Sequence, residues 1–260
     1  MRFKNKAVFV TGGGSGIGAA TAHAFGAQGA RVIVADLNFD NASAVAHSIA
    51  VGGCQAFPVR IDVSSEESVN EAFNTAESWL GTTINVLVNS AGILGVGAFI
   101  DYPLKQWNDV LGVNLTGTFL CSKRAAKSMT EEGSGRIVNV GSISGSRAGI
   151  GRVAYGTSKA AILGLTRQLA MELGPYGITA NAVAPGPVVT PFTVASYNAE
   201  TIAAYESMIP TGRMGLVEEI SAAILFLASD EAAYINGVSL PVDGGYLAGG
   251  VRKTGQLGTS

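Results

Sequence analysis

Tyr155 and Lys159 stand four positions apart in Tyr155-Gly156-Thr157-Ser158-Lys159. On a helix that spacing puts a phenol and an ammonium on one face. Such a pair can move a proton if the phenol titrates below its ordinary pKa of about 10. An ammonium about 5 Å away, at an effective dielectric near 20, contributes roughly 3 kcal/mol, or about two pKa units. The spacing therefore predicts a tyrosine made acidic by its lysine neighbour. The pair alone is thin evidence, since chance supplies about 0.2 of them in a chain of this composition. Ser142 strengthens it. This serine follows the run Ile137-Val138-Asn139-Val140, and groups at the C-terminal ends of parallel strands collect around one crevice. A simple turn residue is the alternative for Ser142. A serine hydrolase does not fit, because Gly141 to Gly145 has Ile143 at its centre and both histidines, His23 and His47, lie far upstream.

A second group of residues points to a nucleotide. Ala7-Val8-Phe9-Val10 runs into Thr11-Gly12-Gly13-Gly14-Ser15-Gly16-Ile17-Gly18, and a helical pattern follows. Glycines there let the backbone turn and approach a pyrophosphate, while the helix N-terminus offers free N–H groups. A turn without a ligand is the alternative. Asp36 ends the next strand, 18 residues past Gly18. That is the offset of a carboxylate that binds an adenosine ribose diol. A 2′-phosphate would meet like charge there, and neither Ser15 nor Leu37 is basic, so NAD is expected over NADP. No Gly-Lys dipeptide occurs, which excludes a Walker-type phosphate loop.

These residues need a scaffold. Apolar or β-branched runs at 7–10, 31–35, 86–88, 137–140, 179–183 and 239–242 read as strands. Between them, Ser64 and Glu67 predict a capping box for a helix to about Trp79. A helix from Tyr155 to Leu173 stops at Gly174-Pro175, and another covers Glu218 to Leu227. The alternation predicts an α/β fold, a single doubly wound parallel sheet with helices on both faces. No linker breaks residues 1–247. The less regular 187–211 is expected to be a lid. The tail 248–260 is Gly-rich and polar, and a neighbouring subunit is its candidate holder.

Composition narrows the function. The chain has 260 residues, 17 basic and 19 acidic, for a net charge of −2. No basic field exists for a nucleic acid. Cys54 and Cys121 form no Cys-x-x-Cys, so no zinc site is expected and both read as core thiols in a reducing compartment. No apolar run nears the ~18 residues of a membrane span, and the first is too short for a signal peptide. A soluble, cytoplasmic protein with no membrane partner is expected. Charged residues are 14% of the chain, against about 25% typically. Either part of the surface is covered in an oligomer or the surface is built of Ala, Ser, Thr and Gly.

Taken together, residues 4 to 247 resemble a classical short-chain dehydrogenase/reductase, a Rossmann-type family. The family's Thr-Gly-x-x-x-Gly-x-Gly falls on Thr11, Gly12, Gly16 and Gly18, and its Asp-Val on Asp62-Val63. Its Asn-Asn-Ala-Gly appears as Asn89-Ser90-Ala91-Gly92, with Ser90 a departure. Its helix asparagine matches Asn114, its Tyr-x-x-x-Lys matches Tyr155 and Lys159, and its Pro-Gly-x-x-x-Thr matches Pro185, Gly186 and Thr190.

The resemblance implies a tetrad of Asn114, Ser142, Tyr155 and Lys159. Alcohol oxidation loses a hydride to the nicotinamide and a proton to a base, here Tyr155. Lys159 would also hold the nicotinamide ribose, and Ser142 would bind the substrate oxygen. Asn114 would interrupt its helix to hold a relay water. The implied cofactor contacts are Gly12, Ser15, Gly16, Ile17, Gly18, Asp36, Asp62, Val63, Asn89, Ala91, Gly92, Tyr155, Lys159, Pro185, Gly186, Val188 and Thr190. The expected substrate is a small secondary alcohol or ketone, bound by Ser142, Tyr155 and Arg152 with NAD as cofactor and no metal. Arg152 either clamps an anionic substrate group or is a surface or interface arginine. Arg213 reads as structural, whereas Tyr197 and Tyr205 either close over the substrate or fill the lid's own core. Alternatives are a 3-oxoacyl carrier-protein reductase and a non-catalytic dinucleotide sensor. The family implies a homotetramer, and the small residues Ala160, Ala161 and Gly164 suit close helix approach.

Overall fold

The computed structural model describes residues 1–249. Strands β1 (Ala7–Thr11), β2 (Arg31–Asp36), β3 (Gln55–Arg60), β4 (Val86–Asn89), β5 (Gly135–Val140), β6 (Ile178–Pro185) and β7 (Ser239–Val242) form one sheet. Every pairing is parallel and the order is β3-β2-β1-β4-β5-β6-β7. Nine α-helices appear among the described residues. They are α1 (Gly16–Ala27), α2 (Phe39–Val51), α3 (Glu66–Leu80), α4 (Leu104–Leu111), α5 (Gly117–Glu132), α6 (Val153–Leu173), α7 (Pro191–Ser196), α8 (Ala199–Met208) and α9 (Val217–Ala228).

The unbroken apolar strands follow from burial on both faces. Val8 and Val10 of β1 pack with Phe25 of α1, Ile49 of α2 and Ile224 of α9. Their neighbours Ala7 and Phe9 point the other way, into a core with Phe73 of α3 and Met129 of α5. Phe9 and Phe73 stack with ring centroids 4.2 Å apart. Strand order reverses direction between β1 and β4, which opens a crevice at the C-terminal strand ends.

Some local expectations shift. The cap of α3 is Ser65, whose hydroxyl accepts from Ser68 N at 3.3 Å, and not Ser64. Asp62 is the reason: its carboxylate accepts from both the Ser64 N–H (3.0 Å) and the Ser64 hydroxyl (2.6 Å). The stretch 187–211 holds two helices, α7 and α8, the first opened by a capping box between Thr190 and Thr193. The sequence reading also omits β3, α2, α4 and α5. In β3, Pro58 hides the strand, and it is tolerated because β3 is an edge. In α5 the buried face includes Thr118, Ser122 and Ser128, which blur the apolar stripe. Cys121 is fully buried and its thiol is pushed up to about 12 by that burial, but Cys54 is only half-buried. Both are free thiols. No helix among the described residues is long and apolar enough to cross a membrane. Most of the tail, residues 250–260, lies outside the described residues.

Candidate active site

The glycine turn is shaped by close approach. Gly12 has φ +63°, and a Cβ there would stand 2.8 Å from the backbone of Ala91. A Cβ on Gly18 would run into the carbonyl of Gly12. Thr11 ties the same corner, since its hydroxyl accepts from Ser90 N (3.1 Å) and Ala91 N (3.2 Å). It is thus the backbone of Ser90 that is used, so the departure at this position leaves the corner intact. Ser15 caps α1 without a side-chain bond, which leaves first-turn N–H groups without a side-chain acceptor. Asp36 is held by two backbone donors, Gly14 N to Oδ2 at 2.9 Å and Asn38 N to Oδ1 at 3.0 Å.

A cavity of about 750 Å³ runs from this turn along the strand ends to α6 and α8. At one end it is lined by Gly12, Ser15, Gly16, Ile17, Gly18, Asp36, Asp62 and Val63. Ala91 and Gly92 lie on its wall, as do Pro185, Gly186, Val188 and Thr190. At the other end stand Ser142, Arg152, Tyr155 and Lys159, joined by Tyr197 and Tyr205. Asn89 and Asn114 are buried outside this lining.

Those two asparagines brace the site. Asn114 lies in a π-helical turn, Gly112–Thr116, which interrupts the path from α4 to α5. Its Oδ1 accepts from Ile93 N (2.8 Å), and its Nδ2 donates to Ile93 O (3.0 Å) and to the Ser158 hydroxyl (3.0 Å). Ser158 sits beside Lys159, so Asn114 grips α6. Asn89 Nδ2 donates to Ser122 Oγ (3.0 Å) and to Asn139 Oδ1 (2.9 Å), and Asn139 Nδ2 donates to Thr166 Oγ1 (2.9 Å). That chain ties α5, β4, β5 and α6 together. Sequence reasoning missed Ser158, Asn139 and Thr166, although a polar residue inside an apolar strand, as Asn139 is, signals such a network.

Ser142, Tyr155 and Lys159 gather where the end of β5 meets α6. Ser142 follows β5, and its hydroxyl accepts from Ser144 N at 3.1 Å. Ser142 also hydrogen-bonds the phenol of Tyr155. Lys159 Nζ donates to Val140 O at 2.7 Å and lies 5.6 Å from the Tyr155 ring centroid. The electrostatics correct the expected balance. Burial raises the Tyr155 phenol above its ordinary value, while the Ser142 bond and the Arg152 charge pull it down. Burial brings the Lys159 ammonium itself down to about 8. Removing both groups from water penalises their charged forms, and the Arg152 cation favours the phenolate.

Arg152 is half-buried at the N-cap of α6 and is not a free surface residue. It donates from one terminal nitrogen to the hydroxyls of Tyr197 (3.0 Å) and Tyr205 (2.8 Å). The two tyrosine rings stack 5.3 Å apart. These tyrosines therefore face the cavity and the arginine together. Arg213 pairs with Glu219 through two bonds of 2.9 and 2.6 Å, which pins the stretch after α8 to the start of α9.

Comparison with known proteins agrees with this geometry. Residues 12–247 match a family model described as enoyl-(acyl carrier protein) reductase. A 3-oxoacyl-(acyl-carrier-protein) reductase of Aquifex aeolicus is 40% identical over 246 residues, 94% of this chain and 98% of that protein. A D-threitol dehydrogenase of Mycolicibacterium smegmatis is 38% identical over 95% of this chain and 94% of its own. A Beutenbergia cavernae structure assigned as an NAD(P)-dependent gluconate 5-dehydrogenase, with NADP at low occupancy, superposes with a TM-score of 0.89. It is 40% identical and covers 95% of this chain and 98% of its own. The glycine corner, the parallel sheet and these likenesses converge: the chain belongs to the short-chain dehydrogenase/reductase family, oxidoreductases that act on alcohol and ketone groups with an NAD(P) dinucleotide.

Proposed function

We propose that this protein transfers a hydride between NAD(H) and a secondary alcohol or ketone, with Tyr155 as general acid/base. One observation carries the reading. The Ser142, Tyr155 and Lys159 cluster shares a single cavity with the glycine corner and the anchored Asp36. The corner fits a dinucleotide, because Gly12 and Gly18 clear the space that a Cβ would fill. Asp36 would take the ribose diol, and its charge with no basic side chain lining that end supports NAD over NADP. Bound there, the nicotinamide supplies hydride exchange with the substrate carbon.

The protein's own residues handle the proton and the oxygen. Tyr155 takes the alcohol proton as a phenolate, or returns it as a phenol. Ser142 donates to the substrate oxygen, held in place by Ser144 N. Lys159 spends one donor on Val140 O and keeps two for the ribose. Asn114 fixes α6 through Ser158 and positions the pair. The remaining assigned contacts, Asp62, Val63, Ala91, Gly92, Pro185, Gly186, Val188 and Thr190, line the same cavity. Residues 187–211 serve as a lid, supported by Tyr197 and Tyr205 on the cavity wall. A homotetramer is supported by the exposed Phe119 of α5 and Met171 of α6 together with the small Ala160 and Ala161.

The test follows NADH absorbance with a panel of secondary alcohols and ketones, for the wild type and Tyr155→Phe. Turnover lost in the variant, with NADH still bound, is expected. A protein that binds NADH but turns over nothing is a sensor. The name of the Aquifex relative favours a second reading, reduction of 3-oxoacyl thioesters, and a thioester with NADPH belongs in the panel.

A further inference from the structure

The cavity is lined by two basic side chains, Arg152 and Lys159. Lys159 donates to Val140 O beside Tyr155, and its two remaining donors are the ones proposed for the ribose. Arg152 is not committed in the same way. Among the described residues it forms no ion pair, and its two hydrogen bonds leave from a single terminal nitrogen toward neutral phenols. Its other terminal nitrogen and its Nε have no protein acceptor there. The acidic side chains of the lining, Asp36 and Asp62, belong to the glycine-turn end and are held by Gly14, Asn38 and Ser64. A half-buried guanidinium without a carboxylate is costly, and the structures that tolerate one usually supply the anion from elsewhere. The fork geometry suits a carboxylate bound through two parallel N–H donors. The phenols add to it, because a hydroxyl that accepts from Arg152 keeps its own O–H as a donor.

We propose that Arg152, oriented by Tyr197 and Tyr205, binds a carboxylate carried by the alcohol or ketone that reacts at Tyr155. This rests on the oxidoreductase reading and adds the substrate's charge to it. Arg152 stands three residues before Tyr155 at the start of the same helix, so the charged group and the reacting oxygen occupy neighbouring parts of one cavity.

The experiment uses keto acids, acetoacetate, levulinate and oxocyclohexane carboxylates among them, each beside its methyl ester. Calorimetry on the protein–NADH complex reads binding, and NADH oxidation reads kcat/KM. The acid of at least one pair is expected to exceed its ester by about 100-fold in kcat/KM and in affinity. Arg152→Met should collapse that ratio to within about threefold of one, whereas Arg152→Lys keeps part of it. Arg167→Met, which removes one charge from the exposed side of α6, should leave the ratio intact. Equal handling of acid and ester by the wild type overturns the proposal, as does an equal loss on both in Arg152→Met. Failure of every acid to bind at about 10 mM also overturns it. Turnover of esters without acid preference leaves the oxidoreductase reading standing and removes this one. Arg152-dependent binding of acids without any hydride transfer does the reverse.

Discussion

Lys159 Nζ lies 5.6 Å from the centre of the Tyr155 ring and spends a hydrogen bond of 2.7 Å on the carbonyl of Val140. The ammonium is therefore anchored to the end of β5 by the sheet itself. Burial weakens its charge to a pKa of about 8 and raises the neighbouring phenol. In the protein alone the phenol is stabilised as an anion by Ser142 and Arg152, and a bound oxidised nicotinamide would add positive charge.

The pH dependence follows with a definite sign. Oxidation needs the phenolate, and burial raises the phenol, so kcat/KM for alcohols should climb with pH through the alkaline range. Ketone reduction needs the neutral phenol and should fall over the same range. Removing the Ser142 hydroxyl or the Arg152 charge withdraws anion stabilisation. The alkaline rise in Ser142→Ala and Arg152→Met should therefore move to higher pH. A wild-type oxidation rate that is flat from about pH 7 to 10 would count against Tyr155 as the base.

Replacing Tyr155 by Phe should cut turnover by about 1,000-fold or more while NADH fluorescence titration gives near wild-type affinity. Lys159→Met should weaken both, because it removes the donors proposed for the ribose and the contact to Val140 together. Activity of Tyr155→Phe within a few-fold of wild type would discard the assignment.

Cofactor choice is expected to rest on Asp36. The ratio of kcat/KM for NAD over NADP should favour NAD, and Asp36→Ala should reduce that ratio by about tenfold or more. A wild-type preference for NADP, the dinucleotide seen in the Beutenbergia relative, would refute the proposal.

The polar strut through the sheet makes a stability prediction. Thr166→Val keeps the side-chain volume but leaves Asn139 Nδ2 without its acceptor. Urea unfolding should show a loss of about 1–3 kcal/mol, the cost of an orphaned buried donor. A change within a few tenths would mean the strut is not strained by the loss.

Much of the candidate site was legible because its signals are local. The glycine corner, Asp36 at a strand end and the four-residue step from Tyr155 to Lys159 each follow from backbone geometry over a short stretch. Ser142 was legible as a strand-end residue for the same reason. The cap of α3 was misplaced by one residue because Asp62 captures the Ser64 hydroxyl, a competition between neighbours that a cap pattern does not encode. Pro58 in β3 and the buried hydroxyls of α5 hid elements that depend on their place in the sheet.

Alternating strand and helix periods determine a parallel sheet from sequence alone, since strands covered on both faces must be apolar throughout. The same patterns determine which end of the sheet carries the glycine corner and the candidate site residues. Tertiary structure decided the rest. Arg152 meets Tyr197 and Tyr205 across 45 and 53 residues of chain, and only folding brings the three to one cavity wall. The direction of the Tyr155 shift is likewise a property of burial and of which cation reaches the phenol. Burial and long-range proximity arise from packing distant segments together, and no spacing along the chain contains them.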